Sequence, residues 1–198
     1  VTLEPLHPDH LDDLVEAAGA ERRTFGLTSV PAADRDAVER YVAGLLGDQA
    51  SGRVAPFAQL DARTGRAVGC TRYMEPRHWR GRDEPDEIEI GGTWLAEAAQ
   101  RTGINTEAKL LLLGHAFEVW EVWRVAICTD ARNLRSRTAI ERLGATFEGV
   151  LRHHRVIQGD AAGAAAGREP RDTATYSILA EEWPAIADRL RRRLAAAS

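Results

Sequence analysis

The stretch LAEAAQRTGINTEAKL, residues 95–110, holds the side chains and backbone best suited to grip an anion. It reads as the end of a strand, a turn over Gln100, Arg101, Thr102, Gly103, Ile104 and Asn105, and the start of an apolar helix at about Asn105. The first turn of a helix presents N–H groups without intrahelical partners and about half a positive charge, so a phosphate is its natural occupant. Gly103 lets the backbone approach closely, and Arg101 offers a charge-assisted contact or an ordinary solvated arginine. Gln100 and Gly103 fit the spacing Gln/Arg-x-x-Gly-x-Gly/Ala. A second chemistry lies just upstream. In EIEI, residues 87–90, Ile88 and Ile90 point to one side of a strand and Glu87 and Glu89 to the other. A carboxylate flanked by apolar residues and a second acid has its pKa raised and can take a proton. The same pair serves equally as a solvated face or as a grip on a cationic ligand.

These residues need particular elements around them. Residues 86–96 form a strand that Gly91-Gly92 interrupts, and glycine inside a strand marks a bulge or a close backbone approach. Such a bulge splays the strand from its neighbour at 123–129. The helix after the turn runs over about 105–119 with an apolar face of Leu110, Leu111, Leu113, Ala116 and Phe117. Before these come a strand at 1–4, a helix at about 11–18, an irregular stretch 21–34, a helix at about 33–46 and strands at 54–61 and 67–75. After them come a helix at 133–143 stopped by Gly144, strands at 146–157 and 173–180, and a helix opened by Trp183-Pro184. The Ala/Gly-rich segment between the last two strands reads as a flexible hairpin loop. The order is not the regular alternation of a doubly wound sheet.

Two segments resemble the GNAT acetyltransferases, in particular their RimJ/RimL-like branch: EIEIGGTWLAEAAQRTGINTEAKLLLLGHAFE, residues 87–118, and RVAICTDARNLRSRTAIERLGATFEGVLR, residues 124–152. The resemblance implies an α/β (α+β mixed sheet) fold, a mostly antiparallel sheet of about seven strands opened between 86–96 and 123–129 and flanked by helices. It implies acetyl-CoA as cosubstrate. The pantetheine arm would pair with the backbone of Thr93, Trp94 and Leu95, the Leu95 N–H meeting the thioester carbonyl. The phosphates would sit over Gln100, Arg101, Thr102, Gly103, Ile104, Asn105 and Thr106. Asn105 stands where relatives have Gly or Ala and is expected to cap the helix. Asn133 and Ser136 match the family's Asn-x-x-Ser/Ala, beside the distal pantetheine or the sulfur, and Asn133 serves equally as a helix cap. Of Arg132, Arg135 and Arg137, at least two are expected on solvated surface. Glu89, 11 residues before Gln100, matches the base glutamate of histone-acetylating relatives. Many relatives carry a tyrosine at the position of Ile140, so the proton for the leaving thiolate falls to Ser136, Tyr176 or water.

The composition bounds the rest. A chain of 198 residues with 44% hydrophobic and 28% charged residues suits one globular domain, and a net charge of −4 argues against a broad nucleic-acid surface. No apolar run approaches a membrane span, and the acidic N-terminal stretch VTLEPLHPDHLDD lacks a leader's apolar core. Cys70 and Cys128 read as small buried hydrophobes, not a disulfide or a metal site, and a cytoplasmic setting is expected. Adjacent His153 and His154 place at most one ring at the site. Lys109 is the single lysine among 26 basic residues. The branch resemblance implies an acceptor that is a protein N-terminal α-amine or a small amino compound. The alternatives are an antibiotic or polyamine acetyltransferase and a non-catalytic acyl-CoA-binding regulator. Residues 21–34, 76–85 and 158–172 are loops that would select the acceptor, and a homodimer is the default oligomer.

Overall fold

The computed structural model describes residues 1–19, 21–157 and 169–196. Seven strands form one sheet in the order β1-β2-β3-β4-β5-β7-β6: β1 (Thr2–Pro5), β2 (Val54–Leu60), β3 (Ala67–Arg77), β4 (Glu87–Leu95), β5 (Arg124–Asp130), β6 (Thr146–Ile157) and β7 (Glu169–Leu179). Every neighbouring pair is antiparallel except β4 and β5. That parallel pair is short. Glu87, Ile88 and Glu89 oppose Arg124, Val125 and Ala126, after which both strands continue without pairing to each other. The expected mixed sheet, open between these strands, is the observed one.

Helices α1 (Leu11–Gly19) and α2 (Arg35–Ala50) cover one face at the β1–β4 side. Helices α3 (Ile104–Gly114), α4 (Leu134–Leu143) and α5 (Trp183–Ala195) cover the other. Strand parity divides the core accordingly. Ala58 and Leu60 join the α1/α2 cluster, whereas Phe57 packs against the α3/α5 cluster with Ile88, Ile90, Val125, Ile127 and Ile178. Local signals set the helix ends. The Asp34 carboxylate accepts from the Ala37 N–H at 2.8 Å, and Gly144 closes α4 at φ 98.

Three boundaries differ from expectation by four residues or more. The α2 helix runs to Ala50 because a single Gly47, at a cost of about 1 kcal/mol, does not end it. The α-helical part of α3 ends at Gly114 and continues as a π-helical turn, His115–Val119. Strand β7 begins at Glu169, four residues early, because Arg171 and Glu169 pair with Arg155 and Ile157 across the β6/β7 hairpin. The rest of the expected hairpin loop lies outside the described residues. No described helix is long and apolar enough to cross a membrane.

Candidate functional site

The glycine pair does what its position in the strand demands. Cys70 pairs with Trp94 and Arg72 with Gly91, so Gly92 and Thr93 together oppose Thr71 in a β-bulge. Gly92 has φ 56, a conformation that favours glycine, and a Cβ there would lie 2.5 Å from the Arg72 guanidinium. A Cβ on Gly91 would meet Met74 Sδ at 2.8 Å. The bulge sits just beyond the last β4–β5 pair, at the mouth of the gap. The residues that follow turn their side chains inward. Trp94 is buried against Phe25 and donates its indole N–H to the Tyr41 hydroxyl at 3.1 Å. Leu95 packs with Ala99 and Ile104. At Trp94 and Leu95 only the backbone can face a ligand.

The turn into α3 is internally braced. Gln100 donates its amide to Leu95 O at 2.8 Å and Thr24 Oγ1 at 2.9 Å, and its Oε1 accepts from Arg135 at 3.0 Å. Thr102 Oγ1 donates to Ala99 O at 2.7 Å and accepts from the Ile104 N–H at 3.2 Å. Gly103, not Asn105, is the N-cap; Asn105 lies one turn position inside, and its buried Oδ1 has no hydrogen-bond partner among the described residues. Ile104 and Thr106 are buried, so their contribution to an anion is limited to backbone N–H. Arg101, at φ 61, and Arg135 of α4 are exposed beside the helix start. Burial and the neighbouring Arg101 charge pull the Arg135 pKa down, as expected of two cations sharing one site without an anion. The other two arginines of that cluster are engaged elsewhere. Arg132 pairs with Asp130 at 2.9 Å, and Arg137 donates to the Tyr176 hydroxyl at 2.9 Å. Asn133 caps α4, its Oδ1 accepting from the Ser136 N–H at 3.0 Å, with Ser136 half-buried beside it.

The opposite sheet face, beyond the reach of α1 and α2, holds a cavity of about 620 Å³. Glu89, Glu87, Ala126, Cys128, Arg155 and His154 are among its lining residues. Glu89 is buried and takes a two-pronged contact from Arg155, at 3.0 Å and 2.6 Å. Its expected environment of apolar residues and a second acid is therefore corrected: a guanidinium is its nearest charge. Arg124 grips Glu148 at 2.5 and 2.6 Å and reaches Glu87 at 3.4 Å. Cys128 is not the simple buried hydrophobe expected, because it lines the cavity; burial and the Glu89 charge push its thiol up to about 11. Cys70 is buried as expected. His154 faces the cavity, while His153 is not among its lining residues.

Tyr176 does not join this group. It is fully buried in the α3/α5-side core, its hydroxyl held by Arg137 and donating to Glu141 at 3.0 Å. Thr175, its neighbour in β7, is the residue that lines the cavity. Tyr176 as proton donor is therefore withdrawn, because strand parity sends it to the wrong face. Sequence reasoning missed Arg155, and it passed over Arg72 and Lys109, which flank the bulge. The single lysine on an apolar helix was the available signal for the last. No group of three or more His, Cys, Asp or Glu that could hold a metal occurs among the described residues.

The family model described as an acetyltransferase (GNAT) domain matches residues 1–146. The chain belongs to the GNAT acetyltransferase family. Among solved structures, a "putative acetyltransferase" from T. thermophilus is 35% identical, with 97% of this chain and 92% of that one covered at a TM-score of 0.78. A GCN5-related N-acetyltransferase from Brucella melitensis is 29% identical over 99% of this chain and 86% of that one, TM-score 0.79. Mycobacterium smegmatis RimJ, solved in complex with CoA-disulfide, shares the fold at 22% identity and a TM-score of 0.74, covering 96% and 88% of the two chains. The Bacillus subtilis protein named "Putative ribosomal N-acetyltransferase YdaF" is 36% identical over 92 residues, 46% of this chain and 45% of that protein. The match thus spans under half of that relative. The family model stops at residue 146, so β6 after Thr146, β7 and α5 are recognised through the fold.

Proposed function

We propose that this GNAT protein moves an acetyl group from acetyl-CoA to a primary amine by direct attack. The observation that carries the reading is the parting of β4 and β5 after Glu89 and Ala126, with a bulge at the opening and a carboxylate-bearing cavity on one face. The gap leaves backbone of Thr93, Trp94 and Leu95 to pair with an extended arm. The braced turn of Gln100 to Thr106, with Arg101 and Arg135 beside it, suits a pyrophosphate through backbone N–H and charge. The orphaned Asn105 Oδ1 close to the same helix start and the glycine-lined opening at Gly91-Gly92 support a ligand here.

In the transfer, the amine nitrogen attacks the thioester carbon and the carbonyl electrons move to oxygen. They return as the C–S bond breaks, and the thiolate leaves with the bonding pair. The attacking nitrogen loses a proton to Glu89. Both Glu89 oxygens already accept from Arg155, but each keeps a further lone pair, so a water relays the proton. Ser136 or water reprotonates the sulfur. Of the four carboxylates lining the cavity, Glu87, Glu89 and Glu148 are each tied to an arginine, leaving Glu75 as the one without an ion pair among the described residues. Carboxylates so engaged favour a single ammonium with a neighbouring carbonyl, as at a peptide N-terminus, over a polycation such as a polyamine. Release of free thiol from acetyl-CoA against a panel of peptides and polyamines tests this. Turnover with α-amines is expected, falling at least about a hundredfold in Glu89→Gln. Binding of acetyl-CoA with no thiol release from any amine would instead favour the non-catalytic reading.

A further inference from the structure

The bulge is flanked by two basic side chains that no carboxylate pairs with among the described residues. From the α3 side, Lys109 is 4% exposed and donates to Thr93 Oγ1 at 2.6 Å and Thr71 Oγ1 at 3.0 Å. The two hydroxyls, on adjacent strands, lie 2.9 Å apart. Thr93 belongs to the bulge itself and Thr71 is the residue it bulges over. From the opposite face comes Arg72, next in β3 after Thr71 and so turned the other way. Its guanidinium lies against Gly92, close enough to fill the space of a Cβ, and its buried Nε has no hydrogen-bond partner among the described residues. Other arginines of this chain are compensated: Arg66, Arg80, Arg124, Arg132 and Arg155 each hold a carboxylate. Among the described residues Lys109 and Arg72 enter no ion pair. A fold that turns two basic groups without an internal anion onto one bulge, Lys109 buried and Arg72 half-buried with its Nε enclosed, is arranged for negative charge that arrives or develops there.

We propose that Lys109 and Arg72 clamp the Gly92–Thr93 bulge from the two faces of the sheet and polarise the donor's thioester carbonyl, with Lys109 acting as a positioning residue through Thr93. The inference rests on the acetyl-CoA reading above and deepens it. The clamp favours each anion the transfer creates. When the amine nitrogen bonds to carbon, the carbonyl π pair becomes an oxyanion; when the C–S bond breaks, its pair becomes the thiolate's. The attacking amine's proton leaves through Glu89 and its water, away from the clamp. Arg72 works through the field at the bulge, and Lys109 through both field and the fixed Thr93 hydroxyl.

The test uses the full chain with two probes, acetyl-CoA labelled with ¹³C at the carbonyl and 3′,5′-ADP. The wild-type protein should shift the thioester C=O stretch of bound acetyl-CoA to lower frequency than in water. In Lys109→Met and in Arg72→Met the band should move back toward its free position, and acetyl-CoA Kd should rise at least about tenfold. The Kd for 3′,5′-ADP, which reads the phosphate turn alone, should stay within about twofold. Loss of acetyl-CoA binding with 3′,5′-ADP binding intact supports the clamp in the same way. An unchanged carbonyl band in both variants overturns it. So does equal loss of both probes in a protein of lowered melting temperature, because Lys109 is then only a structural brace. If the wild-type protein does not bind acetyl-CoA at all, the functional reading has failed before the clamp is tested.

Discussion

Replacing Lys109 by methionine should stabilise the protein near neutral pH while weakening its hold on the donor. The side chain is buried in an apolar helix face, and burial alone lowers its pKa from 10.5 to about 7. That difference corresponds to a penalty on the order of 5 kcal/mol for the charged form. Two hydrogen bonds to Thr71 and Thr93 offset it by roughly 1.5 kcal/mol each. Methionine fills similar volume, brings no charge, and leaves the two hydroxyls bonded to each other. The net gain is about 2 kcal/mol, or roughly 4–8 °C in melting temperature for a chain of this size. The sign follows from proton uptake. The folded pKa is depressed, so between about pH 7 and 10.5 the unfolded chain binds more protons than the folded one, and wild-type stability rises with pH. The advantage of the methionine variant is therefore full at about pH 6 and fades by about pH 9. Thermal melts followed by circular dichroism at those two pH values measure it. Because Lys109 is the only lysine, a single ¹³C-labelled lysine resonance should also titrate near 7. A methionine variant less stable at the lower pH, or equally stabilised at both, would refute the reasoning. A lysine that costs stability fits a functional residue better than a structural one.

Gly92→Ala should reduce acetyl-CoA affinity and stability together, by about 1–3 kcal/mol in melts, because φ 56 is strained for any side chain and a Cβ would collide with Arg72. Arg155→Met should change the pH dependence of kcat more than KM for acetyl-CoA, because it removes the guanidinium that holds Glu89, at 2.6 Å, while leaving the phosphate turn untouched; an unchanged pH–rate profile would sink Glu89 as the proton acceptor. Asp86 is fully buried. Burial would raise its pKa, but hydrogen bonds from the Arg80 side chain and from the backbone N–H groups of Arg80 and Trp79 hold it at about 2. Its folded pKa is depressed, so its contribution to stability is present above about pH 4 and lost as pH falls toward about 2. Asp86→Asn should lower the melting temperature near neutral pH and lose that difference at about pH 2.

The bulge and the turn before α3 were legible because their signals are local. Gly91-Gly92 broke an alternating strand, and Gln100 to Thr106 placed a glycine and polar residues at a helix start. The cavity lined by Glu89 depends on pairings distant in sequence. Arg155 meets Glu89 from 66 residues away. It does so after β6 shifts register between Leu151 and Arg155, where His153 adopts φ 48. That shift resets which β6 side chains face the cavity, and parity counted along the strand cannot foresee it. Tyr176 failed for a related reason: alternation separates it from Thr175 but does not say which side holds the site. Asn105 was read as a cap from its residue type, whereas the cap lies two residues earlier at Gly103, the helix starts at Ile104, and Thr102 bonds its first N–H.

The donor reading stands or falls on whether coenzyme A enters the gap between β4 and β5. A crystal structure of the protein with coenzyme A decides it. The pantetheine arm should pair with backbone of Thr93 to Leu95, and the pyrophosphate should lie on the N–H groups of the turn before α3, beside Arg101 and Arg135. Coenzyme A seated elsewhere, with the gap between β4 and β5 closed by their own pairing, would contradict it.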